Sequence, residues 1–314
     1  MSLLAGLPLG GCINLSKYLH ESPEGYLLQT YDVLTPPKEK VALRVRLQRG
    51  AFFSDQQGAP VEFRLNGRSF AQAITDDEGY AAAGFIPPAE GDYVFDVSAL
   101  DAKKHEPAGS AQLLVACRKS SQPMMIVDLD KTLVASGMGH VLIDRAQPMP
   151  GSAPALQRLS RRYTLVYVTH RPDFLGPLSK EWLRRNEYPR GVVLLSDIRE
   201  FVRGSEKYKT LTIAGLRRQF NNLQVGVGDQ LSDMRVYHEN GMQPFLIFRL
   251  PDQGQPEEYR KLARSFMGLP HESQAVTSWE QIEQVLDGRR TYSRDAVIEM
   301  LRRMASMAET RAAD

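Results

Sequence analysis

The chain has 314 residues, of which 42% are hydrophobic and 24% charged, and its formal net charge is +2 at pH 7. This composition is typical of a soluble globular protein with one large domain or two ordinary ones. The small net charge gives no general attraction to nucleic acid, so no nucleic-acid partner is expected. Two cysteines, Cys12 and Cys117, are too few for a disulfide framework or a zinc site. No apolar run is long enough to span a bilayer.

Residues 1–36 are predicted to form an N-terminal segment. Its first residues, MSLLAGLPLGGC, are apolar and end at Cys12. The stretch from Leu9 to Cys12 is similar to a bacterial lipobox, in which the cysteine is lipidated after cleavage, but the positive charge of a secretory signal is missing. Two localisations stay open: a membrane-associated lipoprotein facing the bacterial periplasm if Cys12 is lipidated, or a cytoplasmic protein.

Residues 37–118 are predicted to form an all-β sandwich, because short runs with alternating apolar and polar residues are separated by turn signals. The candidate strands are 41–47, 61–65, 93–99 and 111–117. The stretch TDDEGYAAAGF (75–85) resembles the hairpin of bacterial immunoglobulin-like and transthyretin-like modules. This resemblance implies an immunoglobulin-like sandwich. Its acidic residues lack the ligand spacing of a calcium loop, so a solvated turn is expected.

Residues 119–123 read as a linker, and the pattern changes in residues 124–290. Short apolar runs now alternate with helical patterns, which predicts a parallel five-stranded sheet with helices on both faces. The predicted strands are 124–127, 164–168, 192–195, 223–227 and 245–248. The predicted helices are 153–161, 178–186, 211–220, 233–240 and 278–286.

Residues 291–314 are predicted to form a C-terminal amphipathic helix. Val297, Leu301 and Met304 make an apolar face at helical spacing. This face could lie on a membrane, or pack against the α/β domain or a second protomer.

Polar and charged residues follow several of the predicted strands, where ligands bind in such sheets. Asp128 and Asp130 come directly after the first strand, and paired acids there are costly unless something offsets their charge. The other residues at this edge are Thr169, His170 and Arg171 after the second strand, Asp229 and Asp233 after the fourth, and Lys209 at the start of a helix. We expect the acids to hold a metal, and the cation and hydroxyls to hold an anion.

These residues resemble the motifs of phosphatases of the haloacid dehalogenase superfamily. That pattern is Asp-x-Asp-x-Thr, then Thr or Ser, then Lys, then Gly-Asp-x-x-x-Asp, each after the appropriate element. The chain supplies the four in residues 128–132, Thr169, Lys209 and 228–233, and the resemblance covers about 122–290. It implies a Rossmann-like sheet. Only 36 residues separate Thr132 from Thr169, which leaves no room for a large cap.

The resemblance also implies a mechanism with Mg²⁺ and an aspartyl-phosphate intermediate. Asp128 would be the nucleophile, and Asp130 the general acid and then the base. The metal ligands would be Asp128, the backbone carbonyl of Asp130, Asp229 and Asp233. The phosphate-binding residues would be Thr169 and Lys209, with Thr132 supporting the loop. His170 and Arg171 are candidates for substrate contact; a structural salt bridge is the alternative for Arg171, and Lys207 is the alternative to Lys209.

Residues 166–197 resemble the C-terminal domain shared by lipins and membrane-associated phosphatidylinositol transfer proteins. Lipins are Mg²⁺-dependent phosphatidate phosphatases, and related bacterial and fungal enzymes also carry a β-rich N-terminal region. The implied substrate is phosphatidate in a membrane. Two alternatives stay open: a phosphatase for a soluble or protein-borne phosphate, and a non-catalytic phosphatidate-binding module. Retention of Asp128 and Asp130 argues against the last. The β-sandwich could bind a partner, cover the site or act as a spacer.

Overall fold

The structure is a computed structural model, and it describes residues 25–50, 52–135, 146–251 and 254–313. The lipobox-like stretch ending at Cys12 lies outside the described residues. Within the described ranges, no helix combines the length and apolar character needed to cross a membrane. The described chain consists of a β-rich part followed by an α/β part.

The β-rich part contains two sheets that share one buried core. Its strands are β1 (Tyr26–Tyr31), β2 (Val33–Thr35), β3 (Val41–Arg49), β4 (Ser54–Asp55), β5 (Pro60–Leu65), β6 (Arg68–Ile74), β7 (Tyr80–Phe85), β8 (Gly91–Leu100) and β9 (Pro107–Cys117). One sheet contains β1, β3, β4 and β7, and the other has the order β2-β9-β8-β5-β6. Alternate residues of β3, such as Leu43 and Val45, point into the core together with Phe63 of β5 and Phe95 of β8. The alternation in the sequence therefore marks the inward face of these strands.

The β-rich part begins before residue 37, which the sequence pattern predicts as its start. Strand β1 pairs antiparallel with β3, and β2 pairs parallel with β9. Neither strand was predicted from the sequence. Residues 26–30 of β1 are all buried. Burial on both faces removes the apolar–polar alternation that identifies a half-exposed strand, so β1 carries no such signal.

The sheet of the α/β part has six parallel strands in the described residues, one more than predicted. They are β10 (Met124–Val127), β11 (Thr164–Pro172), β12 (Val192–Ser196), β13 (Leu223–Gly228), β14 (Gln243–Ile247) and β15 (Gln274–Val276), in the order β12-β11-β10-β13-β14-β15. All five pairings are parallel. The additional strand β15 has only three residues, too few to show a period.

Helices cover both faces of this sheet. They are α1 (Ser152–Leu159), α2 (Gly176–Arg185), α3 (Ile198–Arg203), α4 (Ser205–Gln219), α5 (Leu231–Glu239), α6 (Pro256–Phe266), α7 (Trp279–Leu286) and α8 (Arg294–Ala313). Met124 and Ile126 of β10 pack on the side of α4 to α6 and α8, whereas Met125 and Val127 pack on the side of α1, α2 and α7. The central strand is thus apolar on both faces, as its continuous apolar sequence predicts.

Helices α3 and α6 were not predicted, and the C-terminal helix packs inside the fold. Val297, Ile298, Leu301 and Ala305 of α8 are buried, and α8 lies along α6. Of the alternatives for the apolar face of α8, the structure shows packing against the α/β part.

Asp32, between β1 and β2, joins the two parts of the chain. Its side chain is 4% exposed and accepts hydrogen bonds from the backbone N–H of Leu114 (3.0 Å) and of Val193 (3.0 Å). The ammonium group of Lys180 on α2 lies 2.6 Å from the same carboxylate and also donates to the carbonyl of Thr30 (3.1 Å). One carboxylate therefore satisfies donors from β9, β12 and α2.

We expect Asp32→Ala to lower the free energy of unfolding by about 3–5 kcal/mol, because it leaves the Lys180 ammonium without its charged partner and two buried N–H groups without their acceptor. Urea denaturation measures this change. Glu299→Ala is the matched control, since its ion pair with Arg303 is exposed and should contribute little. Equal effects of the two substitutions would contradict the role of Asp32.

Candidate active site

Asp128 and Asp130 stand at the carboxyl end of the central strand β10. The N–H of Asp128 donates to the carbonyl of Val227 (3.0 Å), which continues the pairing with β13 for one residue. Asp128 is 4% exposed, whereas the side chain of Asp130 is 26% exposed. Between them and Val134 the chain forms a tight turn in which Lys131 has φ +57°. The turn places one carboxylate in the interior and the other at the surface of the site.

Three carboxylates meet at this edge of the sheet. Oxygen atoms of Asp128, Asp229 and Asp233 all lie within 4.8 Å of one another. Asp229 directly follows β13, and Asp233 is in the first turn of α5. The side chain of Asp233 passes against Gly228, where an added Cβ would lie 2.5 Å from Asp233 Oδ2. The close approach of Asp233 therefore requires glycine at position 228.

Lys209 is the cation that contacts this triad. Its side chain is 1% exposed, and its Nζ lies 2.8 Å from Asp233 Oδ2 and 3.4 Å from Asp128 Oδ2. It stands in the second turn of α4 rather than at the start of the helix. Lys207, the alternative from the sequence, is exposed on the same helix. Only Lys209 of the two lysines reaches the acids.

Lys209 does not fully compensate the negative charge of the three carboxylates. Burial raises the pKa of Asp128, and Asp233 and Asp229 add to this rise while Lys209 opposes it. Burial, with the nearby Asp233, raises the pKa of Asp229 to about 6. Burial alone would lower the pKa of Lys209, but Asp128 and Asp233 overcome it and hold the pKa above its ordinary value.

The triad fits a metal ion. Oδ1 of Asp233 is buried and has no hydrogen-bond partner among the described residues. Buried carboxylate oxygens are normally paired, so an oxygen in this position is suited to bind a cation or water. Hard oxygen ligands of this kind are those that Mg²⁺ and Ca²⁺ take in proteins. The acidic triad could therefore bind a metal ion.

Asp130 does not join the triad with its carboxylate, because Arg171 holds it. The guanidinium donates from Nε to Oδ2 (2.9 Å) and from Nη2 to Oδ1 (2.8 Å), and Nη1 donates to Ser179 Oγ (3.0 Å). Arg171 is 1% exposed. This bidentate pair is the salt bridge that the sequence left as the alternative for Arg171. No sequence signal identified Ser179, since partners of long side chains are not encoded in local patterns.

The other residues predicted for the site are Thr169, Thr132 and His170. Thr169 is 1% exposed, and its Oγ1 accepts from the N–H of Arg171 (3.4 Å). The carbonyl of Thr132 accepts from Trp279 Nε1 (3.0 Å), which anchors the turn after Asp130 to α7. The ring of His170 stacks on that of Phe201, with centroids 4.8 Å apart. The ring of His170 therefore packs against α3.

One family model matches the chain: residues 125–251 correspond to the family described as PITM 1-3, LNS2 domain. The matched range is less than half of the chain, and it contains the candidate site residues at the ends of β10, β11 and β13 and on α4 and α5. The match relates the α/β part to the lipin-like domains of phosphatidylinositol transfer proteins, as the sequence resemblance implied. No curated protein matches the chain.

Solved structures that resemble part of the chain include two β-rich modules of low identity. A CARDB domain from Pyrococcus furiosus has 12% identity and a TM-score of 0.23, over 29% of this chain and 94% of that chain. The N-terminal Ig1-2 module of a Drosophila receptor protein tyrosine phosphatase has 10% identity and a TM-score of 0.24, over 33% of this chain and 60% of that chain. At these TM-scores the likenesses do not establish a shared fold or function.

Metal binding at the triad is expected to weaken as the pH falls. Protons on Asp229, whose pKa is about 6, and on Asp128, whose pKa is also raised, compete with the cation. Titration calorimetry with Mg²⁺ should show an affinity that falls between about pH 8 and about pH 5, with proton release on binding. An affinity that is constant over this range would contradict the assignment of these carboxylates as ligands.

Gly228→Ala is expected to weaken Mg²⁺ binding on the order of 10- to 100-fold, because the new methyl group displaces the carboxylate of Asp233. The same calorimetry measures the loss. Gly215→Ala on α4 is the matched control, since its added methyl group meets only the end of the Arg218 side chain at 3.8 Å. Unchanged affinity in Gly228→Ala would exclude Asp233 from the metal site.

Proposed function

We propose that the chain is a Mg²⁺-dependent phosphatase of the haloacid dehalogenase type that hydrolyses a phosphate monoester, with a lipid phosphate such as phosphatidate as substrate. The observation that carries the proposal is the arrangement of Asp128, Asp229 and Asp233 within 4.8 Å of one another around the buried Lys209. A structural role alone does not account for three clustered carboxylates, two of them buried, with one buried cation, because a charged group costs free energy to bury. The match to an LNS2 domain supports a lipin-like phosphatase activity in general.

Asp128 is the nucleophile in this proposal. Its carboxylate oxygen forms a bond to phosphorus while the bond from phosphorus to the ester oxygen breaks, which leaves an aspartyl-phosphate and an alcohol. Lys209, 3.4 Å from Asp128 Oδ2, favours the ionised form that can attack. In the second half of the reaction, water attacks phosphorus, the bond to Asp128 breaks, and inorganic phosphate leaves.

Asp130 transfers the protons in both halves. It donates a proton to the departing ester oxygen and later accepts one from the attacking water. Its side chain is partly exposed, so it can reach both oxygens at the mouth of the site. The bidentate contact with Arg171 fixes the plane of the carboxylate.

Asp128, Asp229 and Asp233 would hold Mg²⁺, together with the backbone carbonyl of Asp130. When bound, Mg²⁺ neutralises negative charge on the phosphoryl oxygens, which allows an anionic nucleophile to approach. Thr169 and Lys209 are the proposed contacts to the phosphoryl group, with Thr132 holding the turn. Lys209 pairs with two of the carboxylates. Its ammonium group is compact and would therefore act on the phosphoryl group as a point charge.

Phosphatidate is the proposed substrate for two reasons. The match to an LNS2 domain supports a role in lipid metabolism. The interval between Thr132 and Thr169 is also short. Helix α1 takes up eight of those residues, which leaves little chain for a cap over the site. A site without a large cap can reach a phosphate at a membrane surface.

The first experiment measures phosphate release from phosphatidate in mixed micelles, with Mg²⁺ and with a chelator, beside p-nitrophenyl phosphate. We expect Mg²⁺-dependent release from phosphatidate well above that from the small ester. Release from the small ester alone would retain the phosphatase and remove the lipid assignment. Binding of phosphatidate with no release from either compound would instead favour a non-catalytic binding module.

Asp128→Asn is expected to reduce turnover on the order of 1,000-fold or more, because the amide keeps the shape of the side chain but cannot act as the nucleophile. The same assay measures the loss, and thermal melting checks that the variant is folded. Asp287→Asn, an exposed carboxylate that pairs with Arg162, is the control and should retain activity. Turnover at the wild-type rate in Asp128→Asn would exclude the proposed mechanism.

A further inference from the structure

We infer that the β-rich part supports catalysis by holding Arg171 in its bidentate contact with Asp130. Tyr31 is the positioning residue through which the β-rich part acts on Arg171. The inference rests on the proposed function in that Asp130 is the acid and base. It assigns to the β-rich part a role that the sequence left open.

Tyr31 reaches from the end of β1 to the segment that follows Arg171. Its hydroxyl donates to Asp173 Oδ2 at 2.7 Å, and Asp173 is 4% exposed. One residue farther along the chain, the ring of Phe174 stacks on Phe53 of the β-rich part, with centroids 4.7 Å apart. Two successive residues after Pro172 are thus held by side chains from the other part of the chain.

The segment around Arg171 lacks regular pairing within its own sheet. Pairing of β11 with β12 runs to Thr169 opposite Leu195 and then shifts, so that Pro172 lies opposite Ser196. The hydroxyl of Ser196 reaches across this irregularity toward the carbonyls of His170 (3.2 Å) and Arg171 (3.1 Å). Where the ladder is interrupted, regular backbone pairing no longer fixes the strand, so side-chain contacts such as those of Tyr31 and Phe53 contribute to its position.

The second acceptor of Arg171 is also tied to β1. Ser179 on α2 accepts from Arg171 Nη1, and the next residue, Lys180, donates to the carbonyl of Thr30 and contacts Asp32. The guanidinium is therefore fixed between Asp130 and Ser179, and β1 contacts the chain on both sides of it. A shift of β1 relative to the sheet would move the donors that orient Asp130.

The alternative is that the Tyr31 hydroxyl only helps to dock the β-rich part on the α/β part. This alternative predicts a different effect on catalysis when the hydroxyl is removed. The cluster of Asp32, Lys180 and Val193 already joins the two parts, so loss of one hydroxyl should leave them docked. If the hydroxyl only adds to that junction, its removal should affect catalysis no more than removal of any other buried hydroxyl of β1.

Tyr31→Phe and Tyr26→Phe in the full chain form the test. Tyr26 is also on β1 and also donates to a carboxylate, that of Asp101, but within the β-rich part. We expect Tyr31→Phe to lower kcat for p-nitrophenyl phosphate about 10-fold or more with KM nearly unchanged, because small misplacements of catalytic groups have effects of this size. Tyr26→Phe should keep the wild-type kcat. Equal kcat values in the two variants would overturn the inference.

A double mutant separates positioning through Arg171 from a general loosening. In Arg171→Lys, which removes the bidentate contact, the further change Tyr31→Phe should cause no additional loss of kcat. Fully additive losses would mean that Tyr31 does not act through Arg171, and would also overturn the inference.

Amide hydrogen exchange gives a readout that does not need activity. Peptides covering residues 169–175 should exchange faster in Tyr31→Phe than in Tyr26→Phe or the wild type. If the wild type releases no phosphate but this difference is present, the proposed function fails and the coupling of the two parts stands. Unchanged exchange in residues 169–175 would overturn the coupling itself.

Discussion

The contact of Lys209 with Asp128 and Asp233 is the interaction on which the candidate site depends. Parallel strands β10 and β13 end side by side, which brings the acids that follow them into one cluster. Such a cluster is unfavourable without compensation, and one ammonium group offsets only part of its charge. The same helix that supplies Lys209 buries Ile213 and Leu216 in the core, so the apolar packing of α4 holds the cation among the acids.

The remaining negative charge explains why the site suits a cation and an anion together. A divalent ion at the carboxylates would cancel the negative charge that Lys209 leaves uncompensated, so the phosphate oxygens of a substrate would no longer be repelled. The charge of Asp130 is compensated separately, because its carboxylate pairs with Arg171 of the protein itself. The site thus separates carboxylates that would hold the metal from the carboxylate that would move protons.

Local sequence patterns predicted the strands and helices that show a regular apolar period, and the site residues that lie next to the end of such an element. The apolar runs located five of the six strands of the parallel sheet, and the acids and Lys209 were grouped because each follows or precedes a recognisable element. Strand β1, buried on both faces, and β15, with three residues, have no such signal. The partner of Arg171 depends on the direction of a long side chain across forty-one positions of sequence, and the contact of Tyr31 with Asp173 on the docking of two parts of the chain. Both are set by tertiary packing rather than by spacing.

The carboxylate of Asp32 has a consequence for how the chain behaves before its two parts have docked. Strand β12 is an edge of the parallel sheet, and the N–H of Val193 on that edge is covered by Asp32. At the opposite edge, the N–H of Ala275 on β15 donates to the carbonyl of Tyr292, in the segment before α8. At each margin of the sheet, a backbone N–H is therefore bonded to chain from outside it, and covering a sheet edge in this way is a common protection against aggregation. A folding intermediate with a formed sheet but an undocked β-rich part would leave the β12 margin open to strands of other molecules.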